Sequence, residues 1–511
     1  MSQRARVPLQ LVVLALLTSL GTVRARQAPP AARPDVSGGE AAARKYCGSC
    51  HAFPPAATLP RAKWNEKVLE MVALAVAGTG AAKGQEIPLD FPVDLILGYY
   101  HASAPLALPS PAVWPEPSNR RVAFARHSMG APGSLTPFVA NVRLATLSVQ
   151  RGVEVVAADM TNGLVLRGSP ATPAAGLSVI ARVPNPCHVE PADLDRDGIM
   201  DLLVANLGST TPGDHARGSV VWLRGQADAT YEAKTLASGL PRVADVQAAD
   251  FDADGDMDLI VASFGWREAG STLFFENRTT AWSTPVFARR DVDWRQGAIH
   301  VPVADLDGDG RPDFVGLISQ HHETVVAFLN QGGAFAAKTV HAAPHPGWGY
   351  SGLQLTDLDR DGDLDGLVTN GDMFDEFLLK PYHGIAWLEN QGRFPFVERT
   401  LAPLNGVHRA LAADLDGDGD EDVVAAALLP GMARHVQESG SPLPTLVWLE
   451  QVAGRRFERH TLERGGYHAS IDVGDIDRDG DIDIVTGTFQ ADQQPTGTFV
   501  EVWENLARRK K

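Results

Sequence analysis

The chain has 511 residues, 44% of them hydrophobic and 21% charged, and a net charge of −17. That length allows more than one domain, and that balance excludes wholesale disorder. The negative charge argues against a nucleic-acid or anionic-membrane surface, which needs basic patches, and three Cys exclude a disulfide framework.

The N-terminus reads as an export signal. Arg4 and Arg6 precede the apolar run VPLQLVVLALLTSLG, and VRA ends at Ala25 with small residues where a signal peptidase reads them. Residues 1–25 are expected to be a cleaved signal peptide; an uncleaved anchor is the alternative, although the run is short for a span. No Cys follows it to take a lipid, and no second apolar segment approaches spanning length. The mature chain is therefore expected to be periplasmic or secreted, with no membrane span.

Residues 39–103 read as a small helical unit containing YCGSCHAFPP, in which Cys47, Cys50 and His51 form C-x-x-C-H. Two thiols at this spacing add across haem vinyl groups, and the adjacent His ligates iron. The rivals fit less well. A redox C-x-x-C belongs near a βαβ pattern, and a structural zinc site needs a second ligand pair. The segment resembles a small class I cytochrome c: a helix ending at the haem motif, a middle helix PRAKWNEKVLEMVALAVAG started by Pro60, and a final helix PVDLILGYYHAS. The resemblance implies one covalent haem c and a redox partner protein. In the usual pattern of that family a Met just before the last helix is the sixth ligand. Here that loop, GTGAAKGQEIPLDF, has neither Met nor His. Between Gly39 and Ser118 the only Met is Met71 and the only other His is His101. Met71 is the preferred sixth ligand, although a helical Met is more often core packing; an open iron site and His101 are the alternatives. Residues 104–119 then form a proline-rich linker, expected to be extended and semi-rigid.

From residue 120 to 507 short Val/Leu/Ile/Phe runs alternate with Gly- and Asp-rich turns, an all-β signature. DLDRDGIMD recurs in related form six times, with starts 57, 55, 52, 57 and 61 residues apart. Such a period indicates propeller blades. Each copy keeps Asp at positions 1, 3, 5 and 9 and Gly at 6. The four Asp are Asp193, Asp195, Asp197 and Asp201; Asp250, Asp252, Asp254 and Asp258; Asp305, Asp307, Asp309 and Asp313; Asp357, Asp359, Asp361 and Asp365; Asp414, Asp416, Asp418 and Asp422; Asp475, Asp477, Asp479 and Asp483. Alternate carboxylates in a tight loop suit Ca²⁺, which takes six to eight oxygens, and Gly permits the bend. An EF-hand is excluded because position 12 holds Val204, Val261, Gly316, Val368, Ala425 and Thr486, none of them the required Glu. Up to six Ca²⁺ are expected.

The repeat resembles the VCBS/FG-GAP family, whose blades also build the integrin α-subunit propeller; this chain is closer to the bacterial form. The resemblance implies an all-β propeller with calcium loops on one face. Six blades carry a loop, and one more, from Pro137 to about Arg182, carries none. The last blade lacks its fourth strand, while VAFARHS (Val122 to Ser128) precedes any blade. It is expected to complete the last blade and close a ring of seven, leaving no open sheet edge.

The starts of the first strands converge on the axis, on the face opposite the acidic loops. They carry His188, Asp245, His300, Gly352, Arg409 and Ser470, with His408 and His468 close by. The loops leaving the second strands add Trp266, the run Gln320 to Glu323, Asn370 to Asp372, and an insertion around His435. This set suits a metal, a sugar or a protein chain, and equally an ordinary solvated channel mouth. Cys187 is expected to be a buried free thiol. Two main functions remain. One is an exported electron carrier whose propeller binds a protein or glycan partner. The other is a haem-coupled dehydrogenase acting on a sugar or alcohol at the channel mouth, although no G-x-G-x-x-G follows a strand. A non-redox sugar lyase or dehydratase is weaker still, since it leaves the haem motif unexplained.

Overall fold

The computed structural model describes residues 37–78, 90–111, 114–117, 122–429, 442–452, 455–490 and 497–507. The expected signal peptide, the segment 79–89 and the insertion around His435 lie outside the described residues.

Among the described residues three α-helices come first: α1 (Ser37–Cys47), α2 (Trp64–Ala77) and α3 (Val93–Ser103). Helix α1 ends at the first thiol of the C-x-x-C-H motif. A 3₁₀ turn capped by Pro60 leads into α2, which stops at Gly78 because that residue takes a left-handed φ of 66°. Helices α1 and α3 cross at Gly39, where a Cβ would fall 2.7 Å from the Leu95 carbonyl and 2.8 Å from Tyr99 Cβ. Only glycine lets the backbones approach so closely. Around this crossing pack Tyr46, Val68, Ile96, Tyr99 and Tyr100, with Trp64 stacked on Tyr100 at 3.7 Å.

Seven antiparallel sheets follow; in six of them the strands run in sequence order from the axis outward, and in the seventh the outermost strand comes from the start of the propeller. Blade 1 covers 139–182, blade 2 186–240, blade 3 243–293, blade 4 298–342, blade 5 350–403, blade 6 407–464 and blade 7 468–505. The first strand of blade 4 is split into Ala298–His300 and Val303–Ala304. Pro302 stands at the break; it has no N–H for the ladder. Strand Phe124–Gly130 pairs antiparallel with Thr498–Asn505 as the outermost strand of blade 7, so the ring closes as the sequence predicts.

The second strands read as unbroken apolar runs because both of their faces are covered. Every residue of Asp201–Asn206, Asp258–Ser263 and Asp422–Ala427 is buried. The cores lie between blades rather than within them. Val243, Leu259 and Phe275 of blade 3 meet Leu203, Val220 and Trp222 of blade 2. The same sandwich recurs around the ring to Phe499 and Val485 of blade 7 against Val155 and Leu166 of blade 1.

Candidate functional site

The C-x-x-C-H motif opens into a cavity of about 340 Å³ between the helices and the propeller. Cys47, Cys50 and His51 line it from α1 and the following turn, and Met71 from α2; Trp64, Tyr100 and Phe91 are among its apolar lining. The His51 Nδ1–H donates to the Ala52 carbonyl at 2.8 Å, so Nε2 keeps its lone pair for another partner. Burial lowers the His51 pKa and keeps the imidazole neutral, the form that ligates a metal. Burial raises both thiol pKa values. Two free thiols, a pre-oriented imidazole and an apolar wall fit a covalently attached haem in their donor chemistry. His101 is exposed on the last turn of α3 and does not line the cavity.

The propeller roofs this cavity. The contributing loops are Trp266 and Arg267 of blade 3, Gln320 and His321 of blade 4, Pro346 and Gly347 between blades 4 and 5, and Asp375 to Tyr382 of blade 5. All leave the face opposite the acidic loops. Ion pairs hold the two parts together: Lys67 with Glu376 at 2.8 Å, and Glu70 with Arg267. Lys380 meets Glu376 at 2.9 Å, and Leu378 packs on the helical core. The linker is pinned as well. Glu116 accepts from Thr461 at 2.6 Å and pairs with Arg464 at 2.6 Å on the outer strand of blade 6. The spacer expected from its prolines is thus a strap along a blade.

The acidic loops share one geometry. The position-1 Asp accepts backbone N–H groups from its own loop, as Asp193 does from Asp197 and Gly198, both at 3.0 Å. The position-9 Asp is buried and bridges two elements. Asp201 accepts the Leu194 N–H at 3.0 Å and the Gly225 N–H at 2.7 Å, and Asp313 accepts those of Leu306 and Asn330 at 2.9 and 2.7 Å. Position 4 also takes a left-handed φ, 54° at Arg196 and 60° at Arg360. Carboxylate oxygens gather within 4.8 Å in the sets Asp193/Asp195/Asp197, Asp250/Asp252/Asp254, Asp305/Asp307/Asp313 and Asp357/Asp359/Asp365. One oxygen each of Asp195, Asp250, Asp359 and Asp475 is buried without a hydrogen-bond partner. Burial raises the carboxyl pKa to about 7 at Asp258, Asp422 and Asp483. Crowded oxygens with unused lone pairs fit a bound cation.

Near the axis the inner strands bring together residues far apart in sequence. His188 Nε2 lies 3.1 Å from Asp245 and 3.3 Å from Glu190, and His300 Nδ1 lies 3.7 Å from Asp245. Burial opposes the charge on Asp245, but His188, His300 and the Val301 N–H outweigh it and hold the pKa far below the usual carboxylate range. Arg143 pairs with Glu190 at 3.1 Å, and Arg409 donates to the Leu353 carbonyl at 2.8 Å. Gly352 is set by close approach, since a Cβ there would fall 2.6 Å from the His408 carbonyl. His468 lies elsewhere, in blade 7, with Glu463 and Glu501, and there Arg126 of the closing strand pairs with both carboxylates. Cys187 Sγ lies 3.2 Å from the Val243 carbonyl, and burial raises its pKa to about 12.

Residues 193–261 and 305–368 match the FG-GAP-like repeat family, so the propeller carries FG-GAP repeats. Among solved structures, the chain is similar to BBS1N in complex with ARL6DN. The lead-soaked crystal gives a TM-score of 0.44 at 12% identity over 79% of this chain and 99% of that one. The mercury-soaked crystal gives 0.42 at 12% identity over 77% and 97%. No curated protein matches.

Proposed function

We propose that this is an exported, periplasmic or secreted electron-transfer protein. In this reading the helical unit is a class I-like cytochrome c domain, with haem c bound through Cys47, Cys50 and His51, and Ca²⁺ fills the acidic loops. Bound there, the haem supplies reversible one-electron transfer. The chain orients His51 through the Ala52 carbonyl, excludes water with Trp64 and Tyr100, and covers the group with the propeller face. The observation that carries this reading is the meeting of both thiols and the free Nε2 of His51 in one cavity. The haem exchanges electrons with a redox partner protein, and the propeller, in turn, binds a protein or a glycan.

A second reading has one observation of its own. The His188–Asp245–His300 contacts place two imidazoles on one buried carboxylate beside the axis, an arrangement able to take a proton from a sugar or alcohol hydroxyl. The two readings separate in one experiment. The oxidised, calcium-loaded protein is followed anaerobically by haem absorption with a panel of sugars and alcohols, then with dithionite. The electron carrier is expected to reduce only with dithionite. Rapid reduction by one compound, lost in His188→Ala or His300→Ala, would establish the dehydrogenase instead.

A further inference from the structure

We propose that His321, on the blade 4 loop, supplies the second axial ligand of the haem iron, so that the metal is held from both the helical unit and the propeller. This rests on the haem reading above and goes beyond it. The sequence of the helical unit offers two candidates opposite His51, and both are weak. His101 is exposed and stands outside the cavity. Met71 lines the cavity, but from within α2 rather than from a loop free to approach the metal. The segment 79–89 contains neither Met nor His. His321 also lines the cavity, from the opposite wall.

The loop that presents His321 has unusual geometry. It joins strands Asp313–Ile318 and Thr324–Asn330 through Gln320 and Glu323, both non-glycine residues in the left-handed region, with φ of 60° and 40°. Such conformations are strained and persist where the surroundings enforce them. Here the enforcement is visible. The buried Glu323 accepts the Tyr350 N–H at 2.9 Å, and its carbonyl accepts the Ala343 N–H at 2.9 Å. The strain is spent on a turn whose side chain enters the cavity. The His321 ring is held in place by the Gln296 amide at 3.0 Å and lies against His322 with centroids 4.4 Å apart. The same Gln296 NH2 group also donates to the Arg267 carbonyl at 3.3 Å, and its Oε1 lies 3.4 Å from His322 Nε2, so the amide keeps partners when the His321 ring turns to the metal. Imidazole is a good ligand for iron, and a second imidazole in place of a thioether lowers the reduction potential.

The test uses full-length, calcium-loaded holoprotein with its covalent haem. Ferric and ferrous absorption, electron paramagnetic resonance and the reduction potential are compared for wild type, His321→Ala, His321→Met and Met71→Leu. Wild type is expected to be low-spin with two imidazole ligands and without a thioether-to-iron charge-transfer band. His321→Ala should become high-spin and bind carbon monoxide when reduced, and added imidazole should restore the low-spin spectrum. His321→Met should gain the thioether band and a higher potential, and Met71→Leu should leave the spectrum unchanged. An unchanged spectrum in His321→Ala, whether or not Met71→Leu changes it, overturns the assignment while leaving the haem reading intact. Absence of covalent haem from the wild type overturns both.

Discussion

At the scale of single residues, burial decides which groups respond to pH. His345 sits against Trp348 and Tyr382, with centroids 5.5 and 4.7 Å away, and has Lys380 near it. Burial lowers its pKa from 6.5 to about 4, with Lys380 adding to the effect. His383, with both ring nitrogens buried and unpartnered, is lowered in the same direction. A depressed folded pKa means that the neutral form belongs to the native state. Its stabilisation is complete above pH 6.5 and is lost as the pH falls towards 4. Denaturant unfolding of the calcium-loaded protein should therefore weaken through that window, by up to about 1.4 kcal/mol per pH unit for each such imidazole. His345→Gln should flatten the profile. An unchanged slope in that variant would show that His345 is not among the responsible groups. Little of this is visible in the sequence, where His345 is one of 15 His: Trp348 stands in the same turn, but Tyr382 reaches the ring from another loop.

At the scale of elements, the acidic loop was the most legible feature, because its Asp spacing, its glycine and the strand after it all lie within a dozen residues. What spacing alone could not separate is the double duty of position 9. Asp201, Asp258 and Asp422 fasten their loop to the start of the next hairpin through two backbone N–H groups, whatever cation they also meet. The left-handed residue at position 4 was missed for a similar reason: Arg196, Ala253 and Arg478 adopt a conformation that their residue types do not announce. The loops should couple cation binding to stability. A site filled at 100 times its dissociation constant contributes about 2.7 kcal/mol, so chelation of several sites should lower the melting temperature by roughly 10 °C or more. A melting curve unmoved by excess chelator would mean that the loops hold themselves together by hydrogen bonds alone.

At the scale of the whole molecule, ring closure could be read from a strand missing at one end and a matching one at the other, and strand Phe124–Gly130 takes that place. The docking of the helical unit could not. Lys67, Glu70, Arg267 and Glu376 look like ordinary solvated charges in the sequence, and only the fold pairs them across the interface. The proline-rich segment reads as a spacer until Glu116 is seen against blade 6. Together these contacts turn a domain on a tether into one that shares its cavity with the propeller. The electron-transfer reading and the assignment of His321 both depend on what fills that cavity. The direct measurement is the intact mass and visible spectrum of the protein, made alongside a c-type haem attachment system and then denatured in acid. The expected result is the mass of the mature chain plus one haem, with the haem colour remaining on the polypeptide, and loss of both when Cys47→Ser and Cys50→Ser are combined. A polypeptide of unmodified mass, or a haem that washes away on denaturation, would contradict it.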